Sequence, residues 1–258
     1  MTQSRIALVT GANQGVGYEV AKALVADGAT VYLGSRDYDR GVVAAQQLGA
    51  IPIQIDITDT AAIAAAAERI RSEQGRLDLL VNNAGISNTR RASASAEQLA
   101  DPRFLEEYAN AGKASRASLD EMRAVWDVNV FGTLAVYQAM LPLLRDGVDA
   151  RIVNVSSGLG SLTANADPHS PYHSMFGVIY PASKAAENAV TLAIMVELEG
   201  TDIKVNLVSP GFTATNLNNF TGTETVEDGS REVIRVALLG PDGPSGTFTR
   251  WEGAPIPW

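Results

Sequence analysis

The chain has 258 residues, 46% of them hydrophobic and 19% charged, which fits one large α/β domain with a sizeable core better than two ordinary domains. A formal net charge of -9 leaves no broad basic surface for nucleic acid or an anionic membrane. The absence of cysteine excludes disulfides, thiolate catalysis and cysteine-ligated metals, and the loop context of His169 and His173 offers no metal-ligand pattern, so no metal is expected.

Met1 to Arg5 run straight into an apolar strand without the features of a signal peptide, and no apolar run reads as long enough to span a bilayer, so a cytoplasmic location is expected. Ile6–Val9 reads as a buried strand, followed by a glycine-rich turn and a helix from Gly15 to Asp27 that Gly28 stops with a left-handed cap. Thr30–Leu33 is a second strand, and a second helix runs from Asp39 to near Gly49. Ile51–Ile55 makes a third strand, Asp59-Thr60 caps an alanine-rich helix to Gln74, and Leu77–Val81 makes a fourth strand. Arg151–Val155 and Ile203–Val208 read as further strands, flanking a helix from about Pro181 to Glu199.

Continuous apolar strands alternating with helices predict a single-domain Rossmann fold over 1–258, a doubly wound, mostly parallel sheet with helices on both faces. Two stretches, 87–119 and 160–179, break the compact rhythm as loop insertions. Both follow strands and should emerge at the carboxyl edge of the sheet, where open α/β folds bind ligands.

The first strand leads into Thr10-Gly11-Ala12-Asn13-Gln14-Gly15-Val16-Gly17 and then a helix. Glycine lacks the Cβ that would block a tight turn and the approach of backbone to pyrophosphate, and the helix N-terminus offers amides and a favourable dipole. Tyr180 and Lys184, four apart, share one helix face, with Pro181 suited to the first turn. An ammonium beside a phenol favours the phenolate and brings its pKa toward the working range, although a surface Tyr and Lys sharing a turn is the default for such a pair alone. At the end of the second strand, where enzymes using NAD usually carry an acid for the ribose 2′-hydroxyl, stand Ser35 and Arg36. A guanidinium grips a 2′-phosphate that a carboxylate would repel, so the expected cofactor is NADPH/NADP+.

The spacing Thr-Gly-x-x-x-Gly-x-Gly resembles the short-chain dehydrogenase/reductase family, and further motifs follow in that family's order. These are Asn82-Asn83-Ala84-Gly85, Asn129-Val130-Phe131-Gly132, Ser156-Ser157-Gly158, Tyr180-Pro181-Ala182-Ser183-Lys184 and Pro210-Gly211. Val31-Tyr32-Leu33-Gly34-Ser35-Arg36-Asp37, the ending around Leu238-Leu239-Gly240-Pro241, and the extra sequence before Tyr180 resemble its NADPH-dependent carbonyl reductase branch.

The resemblance implies a catalytic set of Asn129, Ser157, Tyr180 and Lys184. Tyr180 would protonate the carbonyl oxygen, Ser157 hydrogen-bond it, Lys184 bind the nicotinamide ribose, and Asn129 hold a water relaying protons to Lys184. Ser157 is chosen over Ser156 because it immediately precedes the glycine-containing turn; Asn129 has the alternative of tying backbone to a neighbouring strand. Implied cofactor contacts are Gly11, Asn13, Gln14, Gly15, Val16, Gly17, Ser35, Arg36, Asp56, Ile57, Asn83, Ala84, Gly85, Tyr180, Lys184, Pro210, Gly211 and Thr213. Asp56 would contact the adenine amino group or, alternatively, serve as a capping or loop carboxylate. Leu159, Tyr172, Met175, Phe176 and Phe212 are expected to line a largely apolar pocket for small to medium ketones and aldehydes. An alcohol dehydrogenase running the same chemistry in reverse and a redox sensor without turnover are the rival readings. The insertion before Tyr180 resembles those that obstruct pairing in monomeric carbonyl reductases, which favours a monomer slightly over a homodimer or homotetramer.

Overall fold

The computed structural model describes residues 4–89, 103, 110–218 and 220–258. Its sheet has eight strands in the order β3-β2-β1-β4-β5-β6-β7-β8: β1 Ile6–Val9, β2 Thr30–Ser35, β3 Ile51–Gln54, β4 Leu79–Asn82, β5 Arg151–Val155, β6 Lys204–Val208, β7 Thr247–Arg250 and β8 Ala254–Pro255. All neighbours pair in parallel except β7 and β8. Among the described residues the full helices are α1 Gly15–Ala26, α2 Tyr38–Leu48, α3 Thr60–Gln74, α4 Leu119–Trp126, α5 Thr133–Arg145, α6 Leu162–Ala166, α7 Tyr180–Glu197 and α8 Val226–Ala237. This is the Rossmann arrangement the sequence predicts.

The apolar runs work as two-faced strands. Along β1, Ile6 and Leu8 point into a core with α3, α5 and α7, whereas Ala7 and Val9 point into a second core with α1, α2 and α8. Chain crossovers are therefore forced onto the two faces, and the carboxyl tips of β1 and β4, adjacent in the sheet, open at the switch point where their connections diverge.

Local chemistry sets the helix ends. The Asp37 side chain accepts from the Arg40 amide and Asp59 accepts from Ala61 and Ala62, while Gly28, Gly49 and Gly75 take the left-handed conformation after α1, α2 and α3. The fourth strand begins at Leu79 rather than Leu77. Asp78 just ahead of it is buried, accepting from the Ile6 amide at 2.8 Å and the Val148 amide at 2.7 Å and pairing with Arg76 at 2.9 Å. That carboxylate ties the amino ends of β1 and β4 to the turn before β5.

The sequence reading stopped short of β7, β8 and α8: the two strands are too short to show a period, whereas α8 sets Val233, Val236 and Ala237 on one buried face, a helical signal that the reading passed over. Of the stretch 87–119, residues 90–102 and 104–109 lie outside the described residues. The stretch 160–179 is a loop carrying α6 and a single 3₁₀ turn at His173–Met175. One expectation needs correction: Leu119–Arg145 runs as a continuous helix of 27 residues, long and apolar enough to cross a bilayer by length and composition. Its apolar side is a core face, with Val125, Val136, Met140 and Leu143 buried against the sheet and α3.

Replacing Asp78 with Ala strands two buried amides and a guanidinium; unfolding free energy should drop by about 3 kcal/mol, read as a lower denaturant midpoint at unchanged slope.

Candidate active site

The glycine turn between β1 and α1 is held from below. Thr10 Oγ1 accepts from the amides of Asn83 and Ala84, and Asn83 Nδ2 donates to the carbonyls of Thr10 and Gly11 at 3.0 and 3.1 Å. Gly11 has φ of +61°, and a Cβ there would stand 2.9 Å from Ala84 Cα; a Cβ on Gly17 would collide with Asn83 Nδ2 and the Gly11 carbonyl. Glycine is thus required twice by contact with the end of β4. No side chain caps α1 among the described residues, so its first amides face the cleft above Gly15. Asn82 points the other way and donates to Asn154 of β5 at 2.9 Å, bracing the sheet.

At the tip of β2 the expected pair separates. Ser35 is buried, its hydroxyl donating to the Asp37 carbonyl at 2.7 Å and its Cβ packed under Gly41, whereas Arg36 is exposed. The structure therefore brings Arg36, but not the Ser35 hydroxyl, to the open side. Asp37 is turned into the first turn of α2, accepting from the Arg40 amide and pairing with its guanidinium at 3.5 Å. Arg40, which the sequence reading passed over, lines one hollow with Asn13 and Gln14; Arg36, Tyr38 and Asp56 line a second beside it. The signal was available: Arg40 follows Arg36 by four residues, at the start of the helix. Asp56 accepts from the Thr58 amide and hydroxyl at 2.9 and 2.7 Å, as a loop carboxylate does, while Ile57 is buried under Gly132.

Between α4 and α5 the helix widens into a π-helical stretch, Asp127–Gly132, which carries Asn129. Asn129 is fully buried; its Oδ1 accepts from the Ile86 amide at 2.9 Å, and its Nδ2 donates to the Ile86 carbonyl at 2.8 Å and to Ser183 Oγ at 2.9 Å. It clamps the chain leaving Gly85 to the first turns of α7, which fits the alternative of tying backbone to a neighbouring strand.

The two serines after β5 differ in their surroundings. Ser156 is buried, its hydroxyl bonded to Asn188, whereas Ser157 is half-buried and its Oγ accepts from the Leu159 amide at 3.2 Å, capping a 3₁₀ turn. Tyr180 is half-buried at the start of α7, with Pro181 in the first turn. One turn on, Lys184 places its ammonium 6.0 Å from the Tyr180 ring centre. Lys184 is buried, and its Nζ donates to the Val155 carbonyl at 2.9 Å and to Glu187 at 2.7 Å. Burial works against that charge, but Glu187 and then Tyr180 outweigh it and hold the ammonium above the ordinary lysine range. A Cβ on Gly85 would sit 3.2 Å from Asn129 Oδ1 and 3.6 Å from Lys184 Nζ, so Gly85, Asn129 and Lys184 meet at one point beside the glycine turn.

Of the residues expected to line a substrate pocket, Tyr172 lays its ring against Gly158, Leu159 is half-buried, and Met175, Phe176 and Phe212 are exposed. The segment after Gly211 folds back on itself, with the Ala214 amide donating to Glu224 and the Glu224 amide to Phe212. Thr213 is buried and donates to the Pro210 carbonyl, while Thr215 comes within 3.6 Å of a Cβ position on Gly15, closing over the glycine turn. His173 bonds the Asn165 carbonyl at 2.7 Å and His169 is exposed.

Taken together, the amide-lined turn, the basic tip of β2 and the Lys184–Gly85 point suit a dinucleotide laid across the switch point, by donor chemistry and by the Cβ-free gaps at Gly11 and Gly17. Comparisons with known proteins agree. The family model described as short chain dehydrogenase matches residues 5–225. A short-chain dehydrogenase, anuI, of Penicillium roqueforti is 34% identical over 246 residues, covering 91% of this chain and 89% of its own. The structure of salutaridine reductase from Papaver somniferum superimposes with a TM-score of 0.77 at 29% identity, covering 95% of this chain and 99% of its own. NADPH-bound carbonyl reductase from chicken fatty liver superimposes with a TM-score of 0.76 at 25% identity, over 99% and 100% of the two chains. The chain belongs to the short-chain dehydrogenase family and is an oxidoreductase of that type.

Proposed function

We propose that the protein is an NADPH-dependent carbonyl reductase in which Tyr180 donates the proton to the substrate oxygen. The observation that carries this reading is the placement of a buried, charged Lys184 one helical turn from Tyr180, beside Gly85 and the phosphate turn. Bound there, the nicotinamide supplies the hydride. Lys184 favours the Tyr180 phenolate as the proton leaves and would bind the nicotinamide ribose. Ser157, half-buried and accepting from the Leu159 amide, keeps its hydroxyl proton for the substrate oxygen. Asn129 fixes the chain at Ile86 and Ser183, and so the spacing between Gly85 and α7.

Arg36 and Arg40 support the choice of NADPH. Both are cationic, both line the hollows at the tip of β2, and the nearby Asp37 carboxylate is already bonded into α2. The likeness to an NADPH-bound carbonyl reductase points the same way. The apolar rim of Tyr172, Met175, Phe176 and Phe212 suits small to medium apolar or aromatic ketones and aldehydes. Oxidation of an alcohol uses the same residues in reverse. The complete Asn129, Ser157, Tyr180 and Lys184 set disfavours a sensor without turnover.

With NADPH and a panel of ketones, aldehydes and charged keto acids, absorbance loss should be fastest for apolar substrates; charged keto acids as the best substrates would refute the pocket assignment. Tyr180→Phe should lower kcat by about a hundredfold or more while leaving NADPH binding intact, as for a lost general acid. Arg36→Ala should raise the KM for NADPH by about tenfold, the cost of one charge-assisted phosphate contact, and leave the KM for NADH unchanged. Equal shifts for both cofactors would remove Arg36 from the 2′-phosphate.

A further inference from the structure

The inward face of α7 inverts the usual rule for a core helix. Lys184, Glu187, Asn188 and Thr191, spaced as one helical stripe, are all buried where apolar side chains would be expected. Asn188 bonds Ser156 and the Gly160 carbonyl, and Thr191 bonds Asn154, so two of the four serve to fasten α7 to β5 and its turn. Glu187 does something else: its Oε2 lies 2.7 Å from Lys184 Nζ, with side-chain exposures of 2% and 5%. A buried ion pair adds little net stability over an apolar pair of the same volume, so core packing alone does not call for one beside this lysine.

We propose that Glu187 is a positioning residue of the reaction, the buried counter-ion that keeps Lys184 charged and aimed into the cleft. An ammonium has three N–H donors. Val155 and Glu187 take two of them, and the third is left for the side on which Gly85 opens the cleft. Among the described residues, Glu187 and Tyr180 are the titratable groups acting on Lys184, and Lys184 is the one acting on Glu187. Burial pushes the Glu187 carboxyl up and Lys184 draws it back down. The inference rests on the reductase reading above, because it assigns Glu187 a role through Lys184.

The sign of its effect does not depend on which group of the pair gives up a proton. Removing the negative charge of Glu187 eases the first deprotonation of the coupled Tyr180–Lys184 pair, whether the proton leaves the phenol or the ammonium. In the reduction direction the alkaline limb of kcat, where the acid is lost, moves to lower pH.

The experiment follows the Nζ signals of isotope-labelled lysine by NMR in the cofactor-free protein. The chain has four lysines, and Lys22→Arg, Lys113→Arg and Lys204→Arg assign the other three by elimination. In the wild type, Lys184 should hold its proton above the ordinary lysine range; in Glu187→Gln it should lose it about one pH unit earlier or more, with the alkaline limb of kcat moving in step. Glu187→Asp, which keeps the charge, should stay closer to the wild type than Glu187→Gln. Coincident Lys184 titrations in wild type and Glu187→Gln overturn the proposal. If Glu187→Gln does not fold, the wild-type titration decides: a Lys184 that deprotonates below the ordinary lysine range has no effective counter-ion. Full turnover by Tyr180→Phe would instead defeat the catalytic reading and leave standing the difference in Nζ titration between wild type and Glu187→Gln, so the two failures are distinguishable.

Discussion

The clasp between Thr10 and Asn83 is the constraint on which the rest of the site depends. β1 and β4 are parallel neighbours whose connections leave in opposite directions, so their carboxyl tips have no covalent link and would splay if left alone. One hydroxyl receiving two amides, and one side-chain amide donating to two carbonyls, lock the tips together. The lock draws the phosphate turn so close to β4 that Gly11 and Gly17 tolerate no Cβ, and it fixes Gly85 relative to α1. From Gly85 the same rigidity continues through Ile86 to Asn129 and Ser183, and so to the start of α7 where Tyr180 stands. A chain of short polar bonds, buried and therefore costly to leave unmade, carries the geometry from one end of the cleft to the other.

Much of this was legible in the letters. Apolar strand runs and glycine positions dictate the sheet and the turn because both follow from sterics and burial at short range. The different surroundings of the two serines after β5 also follow from position, since Ser156 is buried against Asn188 while Ser157, half-buried, caps the 3₁₀ turn that begins at Gly158. What the sequence did not reveal depends on contacts between distant segments. The Ser35 hydroxyl turns inward because Gly41, on the next helix, leaves room for it. Glu187 looks in the sequence like an ordinary solvated helix carboxylate, and only the packing of α7 on β5 shows that it is buried. β7 and β8 pair through register rather than pattern, and short strands of mixed polarity carry little periodic signal.

The polar face of α7 also changes how the core on that side should be viewed. Elsewhere the sheet is covered by interchangeable aliphatic contacts, where volume-conserving swaps cost little. Along α7 each side chain has a named partner across the interface: Lys184 with Val155, Asn188 with Ser156 and Gly160, Thr191 with Asn154. Directional bonds specify one register of helix on sheet, whereas aliphatic packing alone tolerates small slides. The helix that bears Tyr180 is the one for which such a slide would do most harm.

The π-helical stretch at Asp127–Gly132 acts as a phase shifter within the helix 119–145. One additional residue in a helical turn rotates everything downstream by about 100° relative to an unbroken α-helix. The buried positions of α5 are thereby set out in a different phase from those of α4, and Asn129 sits in the stretch where the rotation is taken up. Such an insertion cannot be erased without re-indexing one half of the helix against its neighbours, which makes the irregularity self-preserving: the buried side chains of α5, from Val136 to Leu144, are set out in the rotated frame and would face solvent in the other.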